Sequence, residues 1–263
     1  WSTKPIKIEK DTKIDLAGYK LYYRVGNNDT FITVVSGALT IEDSVKPSDK
    51  TSTDNENNPG RAAAMTWDTN NNGTLTYYVT TSMPSEGGFG TTETTTKHVV
   101  SGFGAIVAAS DRGSVKRVVS VEDGGTLNLN GGMVTTPRAL VGDDGHVIFS
   151  QGTVNISGGY VTNGSGGGWG GGLCVTGAKA ELKMTNGVIA ANKAASGGGI
   201  YADKGAKLNL SGGVISGNAT YDDVYNEGGR CDNGYGGGVF TKGVNVNISG
   251  SANITNNRVD SYI

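Results

Sequence analysis

The chain has 263 residues, of which 44 are glycine and 5 are proline, and its formal net charge at pH 7 is -2. Glycine far exceeds the usual ~7%, but glycine and proline together stay below the ~25–30% typical of disordered low-complexity sequence, which indicates a folded chain. The balance of 22 basic and 24 acidic residues excludes the basic footprint of a nucleic-acid-binding protein. The sequence also predicts no membrane span, because no apolar stretch reaches about 18 residues.

The first 119 residues show weak signs of a repeat. We expect residues 1–12 to form an N-terminal cap. Short segments of alternating apolar and polar residues follow at Ile14, Leu39 and Leu75, with separations of 25 and 36 residues. Two irregular segments interrupt them, and we interpret both as loop excursions: 43–73 and 82–98.

The first excursion ends in DTNNNG, residues 68–73. Asp68, Asn70 and Asn72 match the opening half of a calcium-binding loop. Val79 stands where the closing half requires a bidentate Glu, so the segment favours an Asn-Gly turn between two strands.

From residue 120 onward the repeat is regular. The stretch GGGIYADKGAKLNLSGGVISGN (197–218) is preceded by GGGLCVTGAKAELKMTNGVIAAN and followed by GGGVFTKGVNVNISGSANITNN. Shorter copies occur upstream, in GTLNLNGGMVTT and GTVNISGGYVTN. Their apolar anchors are 27, 28, 26 and 38 residues apart, which is a solenoid signal: Leu127, Val154, Leu182, Leu208 and Val246.

Each repeat predicts three short strands, because apolar and polar residues alternate with a period of two, as in KLNL at 207–210. Three strands and three glycine-rich turns make one coil, and stacked coils pair equivalent strands about 4.8 Å apart. The fold class that follows is all-β, a parallel β-helix of about nine or ten coils. The asparagines that close the repeats predict a ladder of stacked amides: Asn163, Asn192, Asn218 and Asn256 or Asn257.

The GGG motif, followed by Ile, Leu or Val and coupled to a closing Asn, resembles the right-handed β-helix repeats of bacterial surface proteins in the pectin-lyase-like superfamily. The resemblance covers residues 120–257 well and 10–119 loosely, and it extends to the passenger repeats of polymorphic outer membrane proteins and adhesins. It implies a right-handed β-helix used for display, adhesion or glycan handling. It does not name a ligand, because this architecture hosts many functions.

The catalytic motifs of polygalacturonase-like members of that superfamily have no clear counterpart. VGDDGHVIF supplies Asp143, Asp144 and His146 within one turn, whereas the family spreads such residues over successive coils. We therefore interpret this segment as a solvated turn.

An insertion at residues 219–235, ATYDDVYNEGGRCDNGY, lengthens one repeat by about a dozen residues, and long loops often carry function. Aromatic rings beside carboxylates suit sugar binding; the alternative is that the loop packs its tyrosines on the solenoid wall. The candidate ligand-binding residues are Trp169, Tyr201, Tyr221, Tyr225, Arg230 and Tyr235.

The same insertion offers carboxylates for catalysis. A glycosidase needs two carboxyl groups about 5–9.5 Å apart, and sequence does not set that distance. The candidates, if the protein is an enzyme, are Asp222, Asp223, Glu227 and Asp232. No metal site is predicted, although Asp222, Asp223 and Asp232 leave calcium as an alternative, since they are hard oxygen ligands.

Few charges and many Thr, Asn and Ser residues favour a secreted or bacterial cell-surface protein. Cys174 and Cys231 are too few for a disulfide scaffold, and a bridge between them stays open. Without a cap after the last repeat, we expect a piece of a longer protein or end-to-end contact with a further β-helical chain. The predicted function is a binding module for glycan or a host surface glycoprotein; the alternative is a glycosidase or polysaccharide lyase.

Overall fold

A computed structural model of the protein describes residues 4–25, 29–55, 62–84, 91–110, 115–137, 146–166, 168–221 and 234–260. These residues form 28 strands, numbered β1 to β28 in chain order, and contain no helix. Most strands belong to three parallel sheets of seven strands each. The chain visits the sheets in a fixed order and adds one strand to each sheet at every passage.

The first sheet contains β1 (Ile6–Ile8), β4 (Thr30–Val34), β11 (Arg117–Val121), β14 (His146–Ser150), β17 (Leu173–Thr176), β21 (Ile200–Asp203) and β25 (Val239–Thr241). The second contains β2 (Thr12–Asp15), β5 (Gly37–Glu42), β12 (Gly125–Leu129), β15 (Thr153–Ile156), β18 (Glu181–Met184), β22 (Lys207–Leu210) and β26 (Asn245–Ile248). The third contains β3 (Lys20–Val25), β10 (Ala105–Ser110), β13 (Met133–Thr135), β16 (Tyr160–Thr162), β19 (Val188–Ala190), β23 (Val214–Ser216) and β27 (Asn253–Thr255).

We call one passage through the three sheets a rung, so rung 1 holds β1 to β3 and rung 7 holds β25 to β27. A short parallel corner sheet follows the third sheet in rungs 5 to 7, formed by β20 (Lys193–Ala194), β24 (Ala219–Tyr221) and β28 (Arg258–Asp260). The described residues give seven strands in each of the three long sheets, fewer than the nine or ten coils expected, because the strands between Ser48 and Ser101 form a different sheet.

Four strands from this part of the chain form an antiparallel sheet, which we call the brace. Its strands are β6 (Ser48–Thr53), β7 (Ala64–Trp67), β8 (Gly73–Pro84) and β9 (Thr91–Ser101), in the order β6-β9-β8-β7. The segments 43–73 and 82–98 were expected to be loops, and the structure places much of both in these strands. Leu75, expected to anchor a coil, lies in the brace opposite Val100.

The repeat register is otherwise observed in the second sheet. Leu127 aligns with Leu39 and Val154, and the column continues through the next three rungs to Leu182, Leu208 and Val246. Ile14 is two residues out of this register, since it aligns with Ile41. The segment 1–12, expected to be a cap, contributes β1 to the first sheet, where β1 pairs with β4.

Alternation places one side chain of each pair inside the stack. Leu208 and Leu210 are buried while Asn209 between them is half-buried on the other face. Buried side chains from all three sheets join in one core, for example Ile32, Leu127 and Ile106. This interior is continuous from rung to rung, because each strand stacks on its equivalent about 4.8 Å away.

A second core lies between the brace and the outer face of the third sheet. Leu75 and Tyr77 of β8 pack there with Val107, Met133 and Val188 of the third sheet. The third sheet is therefore buried on both faces, which explains why its strands carry apolar residues at successive positions.

The expected asparagine ladder is present. Gly164 N donates to Asn192 Oδ1 at 2.9 Å, and Asn192 Nδ2 donates to Asn218 Oδ1 at 2.9 Å. Asn218 Nδ2 in turn donates to Asn257 Oδ1 at 2.9 Å. Asn163 was expected to belong to the ladder, and this prediction is wrong: the neighbouring Gly164 bonds to Asn192, whereas the Asn163 amide donates to the Thr136 carbonyl. Asn163 has a left-handed φ of 62°, as does Asn256 at 54°.

We predict that Asn218→Asp lowers the free energy of unfolding by about 3 kcal/mol or more. Asn218 is fully buried, and its amide nitrogen also donates to the Ile189 carbonyl at 2.9 Å. A carboxylate would face acceptors there instead of supplying a donor. Urea unfolding measures the loss. Asn247→Asp, on the exposed strand β26, is the control and should change stability by less than about 0.5 kcal/mol; equal losses would contradict the ladder's role.

Candidate functional site

The sequence-predicted site residues fall into two groups. Six of them lie outside the described residues, as does Cys231, so the structure does not test the catalytic, calcium or disulfide hypotheses: Asp222, Asp223, Tyr225, Glu227, Arg230 and Asp232. Tyr221 is the last residue of β24. Trp169, Tyr201 and Tyr235 are described, and the structure brings these three together.

They belong to an aromatic run of four rings on the outer side of the first sheet. Trp169 stacks on Tyr201, and Tyr201 stacks on Phe240, each with 5.7 Å between ring centroids. Tyr235 completes the run, with its centroid 5.6 Å from that of Phe240. Phe240 was not among the predicted site residues, although its position after GGG matches that of Tyr201 in the preceding repeat.

The strand register builds this run. Tyr201 aligns with Phe240 between β21 and β25. Trp169 and Tyr235 lie at one corner on rungs 5 and 7, because both form parallel bridges with Ser196 of rung 6. Their backbones are thus two rungs apart, about 10 Å.

The four rings differ in exposure. Trp169 is 57% exposed and Tyr235 is 54% exposed, whereas Tyr201 is only 5% exposed. Tyr201 therefore cannot offer an open ring face to a ligand, which corrects its assignment as a contact residue. Its two faces are taken by Trp169 and Phe240, so it supports the run, and the two exposed rings form its accessible surface.

Burial also sets the chemistry of Tyr201. Desolvation by the surrounding rings, with a smaller contribution from the Asp203 carboxylate, raises the pKa of Tyr201 to about 12. The phenol is therefore neutral at physiological pH, and its hydroxyl donates to Asp203 Oδ2 at 3.2 Å.

Cys174 lies in the same row one rung earlier. It aligns with Phe149 on one side and Tyr201 on the other. Its neighbours Leu173 and Val175 point into the core, so Cys174 stands on the outer row as expected, yet it is buried at this position.

The row continues toward rung 3 with groups that sequence reasoning missed. The Arg117 guanidinium lies 3.5 Å from the centre of the Phe149 ring, a cation–π contact. His146 stacks on Phe149 and is buried, with Nδ1 2.9 Å from the Gly170 carbonyl oxygen. His146 was expected in a solvated turn and instead begins β14; Asp143 and Asp144 lie outside the described residues.

The calcium-like segment at Asp68 is the turn that joins β7 and β8, as favoured from the sequence. Asp68 Oδ1 accepts hydrogen bonds from Asn70 N at 2.8 Å and Asn72 N at 2.7 Å. These bonds, those of Asn72 first, lower the pKa of Asp68. Within the described ranges, no three His, Cys, Asp or Glu residues are grouped so that they could hold a metal ion.

Comparisons of the chain with protein-family models, with curated proteins and with solved structures found no match. In the part of the chain that the structure describes, no helix is long and apolar enough to cross a membrane.

We predict that Tyr201→Phe removes one phenol that titrates near pH 12. The neutral form is favoured in the folded protein, so the contribution of Tyr201 to stability is complete below pH ~10, the ordinary tyrosine pKa. It is lost as the pH rises toward 12, because the unfolded phenol ionises first. Phenolate absorbance against pH measures the step in wild type and variant. Tyr160, whose pKa burial also raises to about 12, should still titrate there in the variant. If the step that disappears in the variant lay near pH 10, the ordinary tyrosine pKa, the result would contradict the burial of the Tyr201 phenol.

Proposed function

We propose that this chain is a right-handed parallel β-helix of a secreted or cell-surface protein, and that it binds glycan through the aromatic run. Three parallel sheets, visited in a fixed order with one strand added to each at every passage, support the β-helix. Connections between parallel strands of one sheet are right-handed in nearly all known cases. The GGG-and-Asn repeat, which resembles those of bacterial surface proteins, supports the location.

The observation that carries the binding proposal is the exposure of Trp169 and Tyr235. Large aromatic side chains contribute most to stability when they are buried. Two rings that each leave more than half of their surface in water therefore suit a role in recognition. The apolar face of a sugar ring can pack on such a surface, while its hydroxyl groups bond to polar neighbours.

Support beneath the exposed rings favours binding as well. Trp169 stacks on Tyr201, Tyr201 stacks on Phe240, and Tyr235 packs against Phe240 with a tilt of 33°, so each exposed ring rests on a neighbouring ring. A pre-ordered site loses less conformational entropy when the ligand binds. The competing explanation is that the run only stabilises the stack, as the asparagine ladder does.

A glycan array probed with the purified chain tests the proposal, followed by calorimetric titration with a glycan that binds. We expect Trp169→Ala and Tyr235→Ala each to weaken binding about tenfold, which corresponds to 1.4 kcal/mol, with little change in melting temperature. Tyr19→Ala is the matched control, since Tyr19 is 78% exposed and lies outside the run; it should bind like wild type.

No binding on the array, or unchanged affinity in both run variants, would overturn the proposal. The bound glycan should also be recovered intact after incubation. Release of a cleaved product would favour the enzyme alternative instead.

A further inference from the structure

The brace is an insertion at a single corner of rung 2. The chain leaves the stack after β5 of the second sheet and returns to it at β10 of the third sheet. By strand register, Asp43 takes the place that Gly131 has in rung 3. Gly104 takes the place of Gly132. Residues 44–103 therefore stand where rung 3 has one peptide bond.

The corner is closed although the chain departs from the stack there. Asp43 Oδ2 accepts a hydrogen bond from Gly104 N at 2.6 Å, and Asp43 Oδ1 accepts one from Gly18 N of rung 1 at 2.7 Å. The Gly104 carbonyl accepts a further bond from Met133 N of rung 3 at 2.9 Å. Rungs 1 to 3 are thus joined at this corner by bonds outside the brace, so the path of the stack is complete without it.

The brace nevertheless contacts the stack from rung 1 to rung 7. At rung 1, Lys20 Nζ donates to the Asn71 carbonyl of the brace at 2.6 Å. At rung 7, Asn253 Nδ2 donates to the Thr80 carbonyl at 3.2 Å. Between these contacts, the second core joins the brace to an apolar or aromatic residue from each of rungs 1 to 6: Tyr22, Val107, Met133, Tyr160, Val188 and Val214.

A single strand spans this distance. Strand β8 begins at Gly73, shortly after Asn71, and includes Thr80. Nine residues at about 3.4 Å each, and six steps between rungs of about 4.8 Å each, both amount to about 30 Å. The strand therefore runs along the axis of the stack. It is also paired with β9 along its length, from Thr74 to Pro84, so the ladder between them makes the brace one continuous element.

Such an element changes how a solenoid opens. In a simple solenoid each rung contacts only its neighbours, so stability is a sum of rung and interface terms, and the outer rungs open before the inner ones. A continuous sheet in contact with every rung links rungs that do not touch one another. Opening an outer rung then also breaks contacts with the brace, which the inner rungs hold in place.

We propose that the brace is a strap that makes the rungs of the stack open as one cooperative unit. This inference is independent of the glycan-binding proposal. The competing explanation is that the brace only covers the apolar outer face of the third sheet, which would stabilise all rungs alike without coupling them.

Native-state hydrogen exchange followed by mass spectrometry tests the proposal. The readout is the second sheet, whose strands contribute no residue to the second core: β5 of rung 2, β15 of rung 4 and β22 of rung 6. After correction for intrinsic exchange rates, we expect their hydrogen-bonded amides to exchange equally fast in the wild type. In a variant that lacks residues 44–103, with Asp43 joined to Gly104, β5 and β22 should exchange about tenfold faster than β15.

Two results would overturn the strap. The first is a folded deletion variant in which all three strands lose protection equally, since the brace would then be a cover only. The second is a wild type in which β5 and β22 already open more readily than β15.

Circular dichroism shows whether the deletion variant is folded. Should it not fold, Leu75→Ala makes the same test, because Leu75 is fully buried in the second core. In this variant β5 and β22 should exchange about threefold faster than β15, and equal rates would contradict the proposal. Leu127→Ala is the matched control: Leu127 is equally buried, but inside the stack. With the brace intact, the three strands should lose protection alike.

Discussion

The corner where GGG meets the asparagine ladder is the constraint on which the stack depends. Strands of neighbouring rungs are about 4.8 Å apart, so the turns that connect them must stack at the same spacing. At the GGG corner the backbones of neighbouring rungs approach so closely that no side chain fits between them. A Cβ on Gly199 would lie 2.5 Å from the Gly238 carbonyl oxygen and 3.0 Å from the Asn218 amide nitrogen. Gly197, with a φ of 65°, supplies the left-handed turn that precedes this close approach. The motif and the closing Asn are coupled in sequence because they touch in space, and the amides bond to backbone groups that the crowded corner shields from water.

This constraint explains which parts of the fold the sequence could predict. In the second sheet, apolar and polar residues alternate around each anchor from Leu39 to Val246, and the equivalent place of the anchor in each repeat gives the strand register. The ladder was predicted to include Asn163, but Gly164 takes that place. The last repeat closes with two adjacent asparagines, and the sequence does not tell which one adopts the left-handed turn and which one bonds to the rung before. Asn163 matches Asn256, which turns, and not Asn257, which bonds. The brace was missed because alternation has the same period in parallel and antiparallel strands, so Leu75 resembled a coil anchor. A usable signal was present in the third-sheet strands MVT, VIA and VIS, whose apolar neighbours indicate burial on both faces.

The candidate site was predictable only in part, for a related reason. Equivalent positions after GGG predicted that Tyr201 and Phe240 align, but exposure depends on neighbours that come from other rungs. Trp169 and Phe240 cover Tyr201 from either side, and this turns a supposed contact residue into a supporting one. Arg117 over Phe149 joins residues 32 positions apart in sequence, a pairing that no local pattern indicates.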